Sequence, residues 1–384
     1  MAGIGIAVVS IGLSLVLGMV SGEGIALFWR GYLFGLVFLL SLWLGPFALL
    51  MIHHMTGGNW SFILQRILEA GMRTYIAPIA AIALLVGATW MGWHDLYGGW
   101  WDPHDPHDSV FFQEVVVNKA EVLGYLSPFW WSVRAAVYIG LWMAYILAFS
   151  NWSRKLDKTG DETYVVKQRY WAPTGIIMYC LTMTFAATDW YMSLQPDWFS
   201  TIYGPLFWIS QGLTCFALFI LVLSVLANHK PMSKYVTVDH YHMIGTFMMA
   251  FVIIWAYMSF AQYLLIWAGN LPEEISWYLV RNTDGWNLIA VGLMLFHFFL
   301  PLMFLLQRRL KFQIRYLRIM CVWILVWRLI DVFYIVNASM HVGEPGVYVM
   351  DFLVSVLMAL GMVGIWLFLF LGNLGSNTAM PLND

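Results

Sequence analysis

Residues 189–204 read Asp189-Trp-Tyr-Met-Ser-Leu-Gln-Pro-Asp-Trp-Phe-Ser-Thr-Ile-Tyr-Gly204 and join two apolar segments, 172–192 and 203–226. An acidic residue stands near the end of the first segment, and an aromatic, proline-bearing connection leads into the second. A carboxylate is costly in the hydrocarbon core of a bilayer, so one kept near its surface is by default a functional candidate. The stretch predicts two membrane-spanning helices joined by a short connection, with Asp189 as a candidate functional residue.

The composition of the whole chain agrees with this interpretation. Of the 384 residues, 61% are hydrophobic and only 10% are charged, whereas a soluble domain carries roughly 25% charged residues. Apolar runs of roughly 20 residues, the length that crosses a bilayer, recur along the chain. The ten predicted spans are 3–20, 30–53, 73–93, 124–149, 172–192, 203–226, 242–267, 285–306, 316–337 and 348–372. We therefore predict an all-α integral membrane protein with about ten transmembrane helices.

Lysine and arginine are distributed unevenly between the predicted loops. The loops after the second, fourth, sixth and eighth spans carry 14 of the 19 cations, whereas the opposite loops hold only Arg30, Lys119 and Arg281. By the positive-inside rule, the basic loops and both termini are cytoplasmic. The net charge of −2 and the lack of a basic arm argue against nucleic acid as a partner. The 14 are Arg66, Arg73, Arg154, Lys155, Lys158, Lys167, Arg169, Lys230, Lys234, Arg308, Arg309, Lys311, Arg315 and Arg318.

The cysteines give no sign of a redox centre. Cys180, Cys215 and Cys321 lie far apart in apolar segments, and no haem-attachment or iron–sulfur spacing occurs. The segment from His94 to Asp108 combines His and Asp residues that can bind a metal, but Asp-Pro-His repeats are more typical of a solvated turn. We expect this chain to hold no metal and no covalent redox cofactor.

Several predicted spans carry polar side chains where these are costly. The fourth span has Ser127, Trp131, Arg134, Tyr138 and Tyr145 on or near one helical face, and Arg134 is expected near mid-membrane because it lies ten residues into the span. Such groups on facing helices can form a proton relay or a polar pocket for a quinone headgroup. The candidate proton-pathway residues are Asp239 and His242 at the inner surface, His297, Arg328, Arg134 and Tyr138 deeper, and Asp331 and Asp189 toward the outside.

Structural roles are open for the same residues. Arg328 and Asp331, three positions apart, can form an ion pair within one helix. Arg134 can pair with Asp189 of the neighbouring helix or with backbone carbonyls. His297 can equally be a hydrogen-bonded core residue. We predict no catalytic residue.

Three longer motifs resemble a known family. They are Asp189–Gly204; Trp255-Ala-Tyr-Met-Ser-Phe-Ala-Gln-Tyr-Leu-Leu-Ile-Trp267 running into Asn270-Leu-Pro-Glu-Glu274 and Arg281; and His54-Met-Thr-Gly-Gly-Asn-Trp60 followed by Arg66 and Glu69. Together they resemble the smaller NrfD-like (polysulfide-reductase-type) integral membrane subunit of alternative complex III, the ActF type. The resemblance covers nearly the whole chain. Ala261 and Ala268-Gly269 depart from the expected pattern.

The resemblance implies a subunit of a bacterial quinol:electron-acceptor (cytochrome c) oxidoreductase in the inner (cytoplasmic) membrane. The implied fold is two four-helix bundles, 30–193 and 194–338, flanked by the first helix (1–29) and the last helix with its tail (339–384). The implied partners are a larger NrfD-like subunit that holds the quinol site, an iron–sulfur subunit and multi-haem cytochrome c subunits in the same bilayer-bound complex. The family assigns the smaller subunit an anchoring role and a possible part in proton translocation, so it is not expected to be catalytic alone.

Two other functions are compatible with the same residues. In one, this chain itself oxidises quinol near the outer end of the first bundle, where Asp189 accepts the proton and Arg134 orients the headgroup. In the other, the chain is a stand-alone transporter. Against the transporter stands the lack of matching Gly/Pro-broken helices in two halves of the chain.

Overall fold

The computed structural model describes residues 2–21, 24–101, 125–196, 198–230, 232–283, 285–340 and 347–375, and within them it contains helices and no strand. Its long helices are α1 (Ala2–Val20), α2 (Ile25–Thr56), α3 (Gln65–Trp90), α4 (Pro128–Thr159), α5 (Thr163–Trp190), α6 (Tyr203–Leu226), α7 (Val238–Gly269), α8 (Trp286–Leu306), α9 (Ile314–Val336) and α10 (Val349–Gly375). The short helices are Asn59–Phe62, Gly98–Trp101, Met232–Tyr235, Pro272–Arg281 and Arg308–Lys311.

The prediction of an all-α membrane protein is confirmed. Among the described residues, nine helices are long and apolar enough to span a bilayer, and α5 is the long helix outside that set. Its 28 residues span about 42 Å at 1.5 Å per residue, so its length is sufficient. Its hydropathy is lowered by Asp189 and by Thr174, Thr182, Thr184 and Thr188. The helix packs against α2, α4 and α6, which shields much of this polar surface from lipid.

Two of the differences between the predicted spans and the observed helices concern the polar residues. The helix α4 begins at Pro128 rather than at residue 124, with Ser127 as its N-cap, a position pair that favours helix initiation. Arg134 therefore lies six residues into the helix, about 9 Å from its start, whereas the predicted span places it ten residues in; its depth in the membrane stays a prediction. The region before residue 73, predicted as a loop, contains the helices Asn59–Phe62 and Gln65–Met72, the second of which is fully buried.

The helix α2 lies at the centre of the molecule. Its most apolar stretch is buried throughout, as expected for a helix that is hydrophobic on every side. It packs against α3 and α5, and it also packs along α6 and α10. We refer to α2–α5 as the first helix group and to α6–α9 as the second. Their division into two separate bundles stays a prediction because α2 contacts both groups.

The two ends of the helices differ in chemistry. The basic end contains the 14 cations named above, and the aromatic end contains the residues that begin α4 and end α5. At the aromatic end, rings from the connections donate hydrogen bonds to carbonyl oxygens: Tyr97 Oη to Trp190 (2.9 Å) and Trp100 Nε1 to Ser193 (3.2 Å). These bonds satisfy carbonyls that a helix terminus leaves without an intrahelical partner. The side of the membrane that each end faces stays a prediction.

The short helix Pro272–Arg281 closes the aromatic end of the second helix group. Pro272 occupies its first position, as expected from a residue without an N–H. Buried Arg281 donates to the carbonyl oxygens of Tyr334 (3.1 Å) and Ile335 (2.9 Å) and stacks on the Trp277 ring at 3.4 Å. Burial lowers the pKa of Arg281 to about 10. Its charge lies at the negative end of the α9 dipole, so this helix is fastened to the end of α9.

The first and last helices pack closely through small residues. Gly3, Ala7, Ser10, Ser14 and Gly18 of α1 form the buried stripe of that helix. A Cβ added at Gly364 of α10 would lie 2.8 Å from the carbonyl oxygen of Gly3. Small residues allow two membrane helices to bring their backbones into contact. The stripe therefore attaches α1 to α10.

We expect Gly364→Ala to lower the midpoint of thermal unfolding in detergent. Overpacking a close contact costs about 1–3 kcal/mol, and the added methyl meets backbone atoms that cannot yield easily. Gly372→Ala in the same helix is the control, because nothing lies within 4 Å of its added Cβ, and alanine favours a helix over glycine. Equal midpoints for the two variants would contradict the close contact of α1 and α10.

Candidate functional site

Asp189 is at the centre of a hydrogen-bonded cluster at the aromatic end of the first helix group. Arg134 Nε donates to Oδ2 at 2.8 Å, and Arg134 Nη2 donates to Oδ1 at 2.9 Å. Tyr138 Oη donates to Oδ2 at 2.8 Å. A two-pronged arginine–carboxylate contact is among the strongest hydrogen-bonded pairs in proteins. The structure thus selects the pairing of Arg134 with Asp189 over pairing with backbone carbonyls.

The carboxylate of Asp189 is enclosed, but its arginine partner reaches the surface. Asp189 is 0% exposed, whereas the Arg134 side chain is 19% exposed. The Tyr125 ring lies 3.9 Å from the guanidinium carbon, and Trp131 Nε1 donates to the backbone oxygen of Asp189 at 2.8 Å. Among the described residues, Arg134 is therefore the charged group that connects this carboxylate to the surface.

A second buried carboxylate, Glu69, lies at the basic end of the same helix group. Arg66 Nη1 donates to Glu69 Oε2 at 2.8 Å, and Arg73 Nη2 donates to the same oxygen at 3.3 Å. Ser153 Oγ of α4 donates to Oε1 at 2.7 Å. Arg66 also binds Asp157, whose side chain is 22% exposed. Glu69 is therefore buried between two arginines, and Asp157 extends the cluster to the surface.

This cluster was not predicted from the sequence. Arg66 and Arg73 were assigned to a cytoplasmic loop, and Glu69 entered only as part of a motif. The available signal was their spacing: positions 66, 69 and 73 are separated by three and four residues, which places them on one face of a helix. Charges of alternating sign at that spacing favour a paired helix rather than a solvated loop.

The helix α4 carries polar side chains from one carboxylate cluster to the other. Tyr138 and Ser153 donate to Asp189 and Glu69, respectively. Between them, three further residues of α4 bond neighbouring helices: Trp142 Nε1 donates to Thr182 Oγ1 (2.8 Å), Tyr145 Oη to Thr174 Oγ1 (3.0 Å), and Ser150 Oγ accepts from Arg73 Nε (3.3 Å). The stretch from Tyr138 to Ser153 measures about 22 Å by helix rise. We call these five residues the polar ladder of α4.

Arg328 and Asp331 of the second helix group form a separate charged pair. Arg328 and Asp331 are both buried and are hydrogen-bonded to each other within α9. Arg328 Nε also donates to Thr214 Oγ1 at 3.4 Å. A small cavity beside Arg328, lined by Ser210 of α6 and by apolar side chains, has room for about one water molecule. Of the roles that the sequence left open for Arg328 and Asp331, the structure contains the ion pair within one helix.

His297 is fully buried, and neither ring nitrogen has a hydrogen-bond partner among the described residues. Its ring packs edge-on against Trp255 at 4.4 Å. It lies in the π-helical segment Leu293–Phe299 of α8, and such segments occur frequently at functional sites. The structure therefore does not place His297 in a hydrogen-bonded chain of protein groups.

Asp239 and His242 form a third group, at the basic end of α7. Asp239 is exposed and His242 is half-buried, with its ring stacked on Phe312 at 4.8 Å. Seven of the eight predicted pathway residues thus fall into three groups, centred on Asp189, on Arg328 and on His242, and His297 belongs to none of them. Within the described ranges, no hydrogen bond joins one group to another. A single route through all eight residues is not formed by direct contacts.

The described residues hold no cluster of three or more His, Cys, Asp or Glu side chains positioned for a metal ion. Residues 102–108 of the segment from His94 to Asp108 lie outside the described residues. His94 itself is described. It packs on the Trp29 ring at 4.8 Å and makes a 3.2 Å hydrogen bond between Nε2 and Thr89 Oγ1, so it has a structural role between α2 and α3.

No protein-family model and no curated protein matches this chain. The resemblance to NrfD-like subunits therefore stays a prediction. The structural features that bear on function are the two carboxylate clusters and the polar ladder between them.

Asp189→Asn is expected to destabilise the protein by about 3 kcal/mol, because it leaves the Arg134 charge without its buried partner. Arg134→Gln should act in the same way, and the double variant should lose less than the sum of the two. A double-mutant cycle by chemical unfolding is expected to give a coupling free energy of at least about 1 kcal/mol. Glu162→Gln, at an exposed position, is the control, and additive losses in the cycle would contradict the pairing.

Proposed function

We propose that this chain is an integral membrane subunit of a quinol:cytochrome c oxidoreductase complex of the alternative complex III type. In this proposal it anchors the complex in the bacterial inner membrane, with both termini cytoplasmic, and provides a proton pathway. Quinol oxidation and electron transfer belong to the partners: the larger NrfD-like subunit, an iron–sulfur subunit and multi-haem cytochrome c subunits. The family part of the proposal rests on the three sequence motifs.

The observation that supports a proton pathway is the pair of buried carboxylates at opposite ends of one helix group. Glu69 and Asp189 are each held by arginine, and each cluster has a single partly exposed charged member, Asp157 and Arg134 respectively. A carboxylate gains a proton readily when an arginine leaves it and loses the proton when the arginine returns. Movement of Arg134 or Arg66 would therefore load or unload each carboxylate from its own side.

The polar ladder of α4 supplies the connection between the two carboxylates. Hydroxyl groups of Tyr138, Tyr145, Ser150 and Ser153 can each accept and donate a proton. Trp142 cannot, because an indole N–H is only a donor, and Ile146 beside it is fully buried and apolar. Transfer along the ladder therefore requires ordered water in its middle section. This proposed route differs from the one expected from the sequence: it uses Asp189, Arg134 and Tyr138 but not the other five candidates, Asp239, His242, His297, Arg328 and Asp331.

Quinol oxidation within this chain is the second candidate. It is favoured by the partial exposure of Arg134 next to the exposed rings of Phe129 and Trp130, where a headgroup can approach from the lipid. It is weakened by the complete burial of Asp189, because a quinol hydroxyl reaches that carboxylate only if Arg134 moves. A quinone photoprobe distinguishes the two: labelling of α4 or α5 favours a site here, and labelling confined to another subunit contradicts it.

Mass spectrometry of the proteins that co-purify with a tagged copy in mild detergent tests the proposed complex. We expect a multi-haem cytochrome c, an iron–sulfur protein and a second, larger NrfD-like chain. Recovery of this chain alone, from a preparation without haem, would contradict the complex and favour the stand-alone transporter.

Glu69→Gln and Asp189→Asn are expected to lower the number of protons moved per electron in proteoliposomes of the whole complex, while electron transfer from quinol to cytochrome c continues. Each substitution removes a titratable group from one end of the route. Glu162→Gln, an exposed acid at the basic end, should leave the ratio unchanged. A ratio that falls in Asp331→Asn but not in Glu69→Gln would place the route in the second helix group instead.

A further inference from the structure

The basic end has an uneven balance of charge between the two helix groups. In the first group, residues 57–75 and 154–169 carry seven cations and four acids. In the second group, residues 227–241 and 307–318 carry seven cations, whereas Asp239 is the one acid. A topological preference for cations on one side accounts for both sets, but it does not account for the lack of compensating acids in the second.

The cations of the second group converge around Lys311. This side chain is only 5% exposed, and its Nζ donates to Thr246 Oγ1 at 3.0 Å. Burial, together with the nearby charge of Arg308, lowers the pKa of Lys311. Phe312 lies between the His242 ring at 4.8 Å and the Arg308 guanidinium at 5.4 Å. The described residues place no carboxylate in ion-pair contact with Lys311 or Arg308.

Arg318 repeats this pattern one turn into α9. Its Nε donates to Ser224 Oγ at 2.8 Å, and its Nη2 donates to the Ser224 carbonyl oxygen at 2.7 Å. It too has no carboxylate partner in the described part of the chain. Arg308, Arg309 and Arg315 are exposed beside these two residues. The result is a surface of five cations, Arg308, Arg309, Lys311, Arg315 and Arg318, which we call the Lys311 surface.

An apolar face continues from the Lys311 surface along α8 and α9. Met303 and Leu306 of α8 are 53% and 55% exposed, and Ile319 of α9 is 56% exposed. These residues lie within about two turns of the cations by helix rise. Positive charge next to exposed apolar side chains at the end of membrane helices matches an amphiphile whose headgroup is negative and whose chains are hydrocarbon.

We propose that the Lys311 surface binds the phosphate headgroup of an anionic phospholipid, with the acyl chains along α8 and α9. The phosphate is contacted by Arg308, Arg309 and Arg315. The less exposed Lys311 and Arg318, which are fixed by Thr246 and Ser224, add positive charge beside them. The exposed apolar face distinguishes this occupant from an acidic protein segment, which would need polar contacts there. Free phosphate shares the headgroup chemistry but leaves the apolar face unused.

The test measures lipid binding to the purified full-length protein, with any subunits that co-purify. After delipidation, we expect phosphatidylglycerol or cardiolipin, supplied in mixed micelles, to raise the midpoint of thermal unfolding, whereas phosphatidylcholine and inorganic phosphate do not. Native mass spectrometry should show the anionic lipid retained. The triple variant Arg308→Gln/Arg309→Gln/Arg315→Gln should bind it at least about 10-fold more weakly.

The matched control is Lys155→Gln/Lys158→Gln/Lys167→Gln, which removes three charges from the basic end of the first helix group. It should retain wild-type lipid affinity. Equal weakening in both triple variants, or equal stabilisation by phosphatidylcholine, would overturn the proposal. So would inorganic phosphate stabilising the protein as well as the lipid does, or crosslinking of Arg309→Cys to an acidic segment of a co-purified subunit. The wild-type comparison of lipids decides the question even if the triple variant does not fold.

Discussion

Every charge within the hydrocarbon core of the membrane needs a partner inside the protein, because the hydrocarbon chains of lipid supply none. This constraint determines how the first helix group packs. Arg134 of α4 is neutralised by Asp189 of α5, and Arg66 of α3, which pairs with Glu69 within its own helix, also pairs with Asp157 of α4. Both clusters contact α4. That helix is therefore held at its two ends by charged contacts and along its length by the polar ladder.

The same constraint explains why the second helix group is built differently. Arg328 and Asp331 neutralise each other within α9, so this pair requires no particular neighbour, and Arg281 is stabilised by carbonyl oxygens at the end of α9 rather than by a carboxylate. An ion pair within one helix does not connect that helix to a neighbour, so it offers no direct route for a proton between helices. This contrast favours the first helix group as the proton pathway. The second group is held together mainly by apolar contacts and by the short helix Pro272–Arg281.

The sequence predicted the helical class, all ten long helices and the connection after Asp189, because apolar runs of sufficient length have few alternatives to a spanning helix. It placed the start of α4 too early, since the apolar pattern extends past the Ser127–Pro128 start that fixes the helix boundary. The sequence offered the pair of Arg134 with Asp189 only as one of two alternatives, because nothing in the spacing of α4 and α5 specifies which face of each helix meets the other. Glu69 was missed because its charged stretch was assigned to a loop, although the three- and four-residue spacing of its charges favours a helix.

Infrared difference spectroscopy of the reconstituted complex, recorded before and after addition of quinol, tests the central claim most directly, since it reports whether a buried carboxyl group changes protonation during turnover. The route through the first helix group predicts carboxyl signals that are lost separately in Glu69→Gln and Asp189→Asn and are retained in Asp331→Asn. Signals unchanged in both of the first two variants would contradict proton transfer through Glu69 and Asp189, and would leave the two clusters as structural ion pairs.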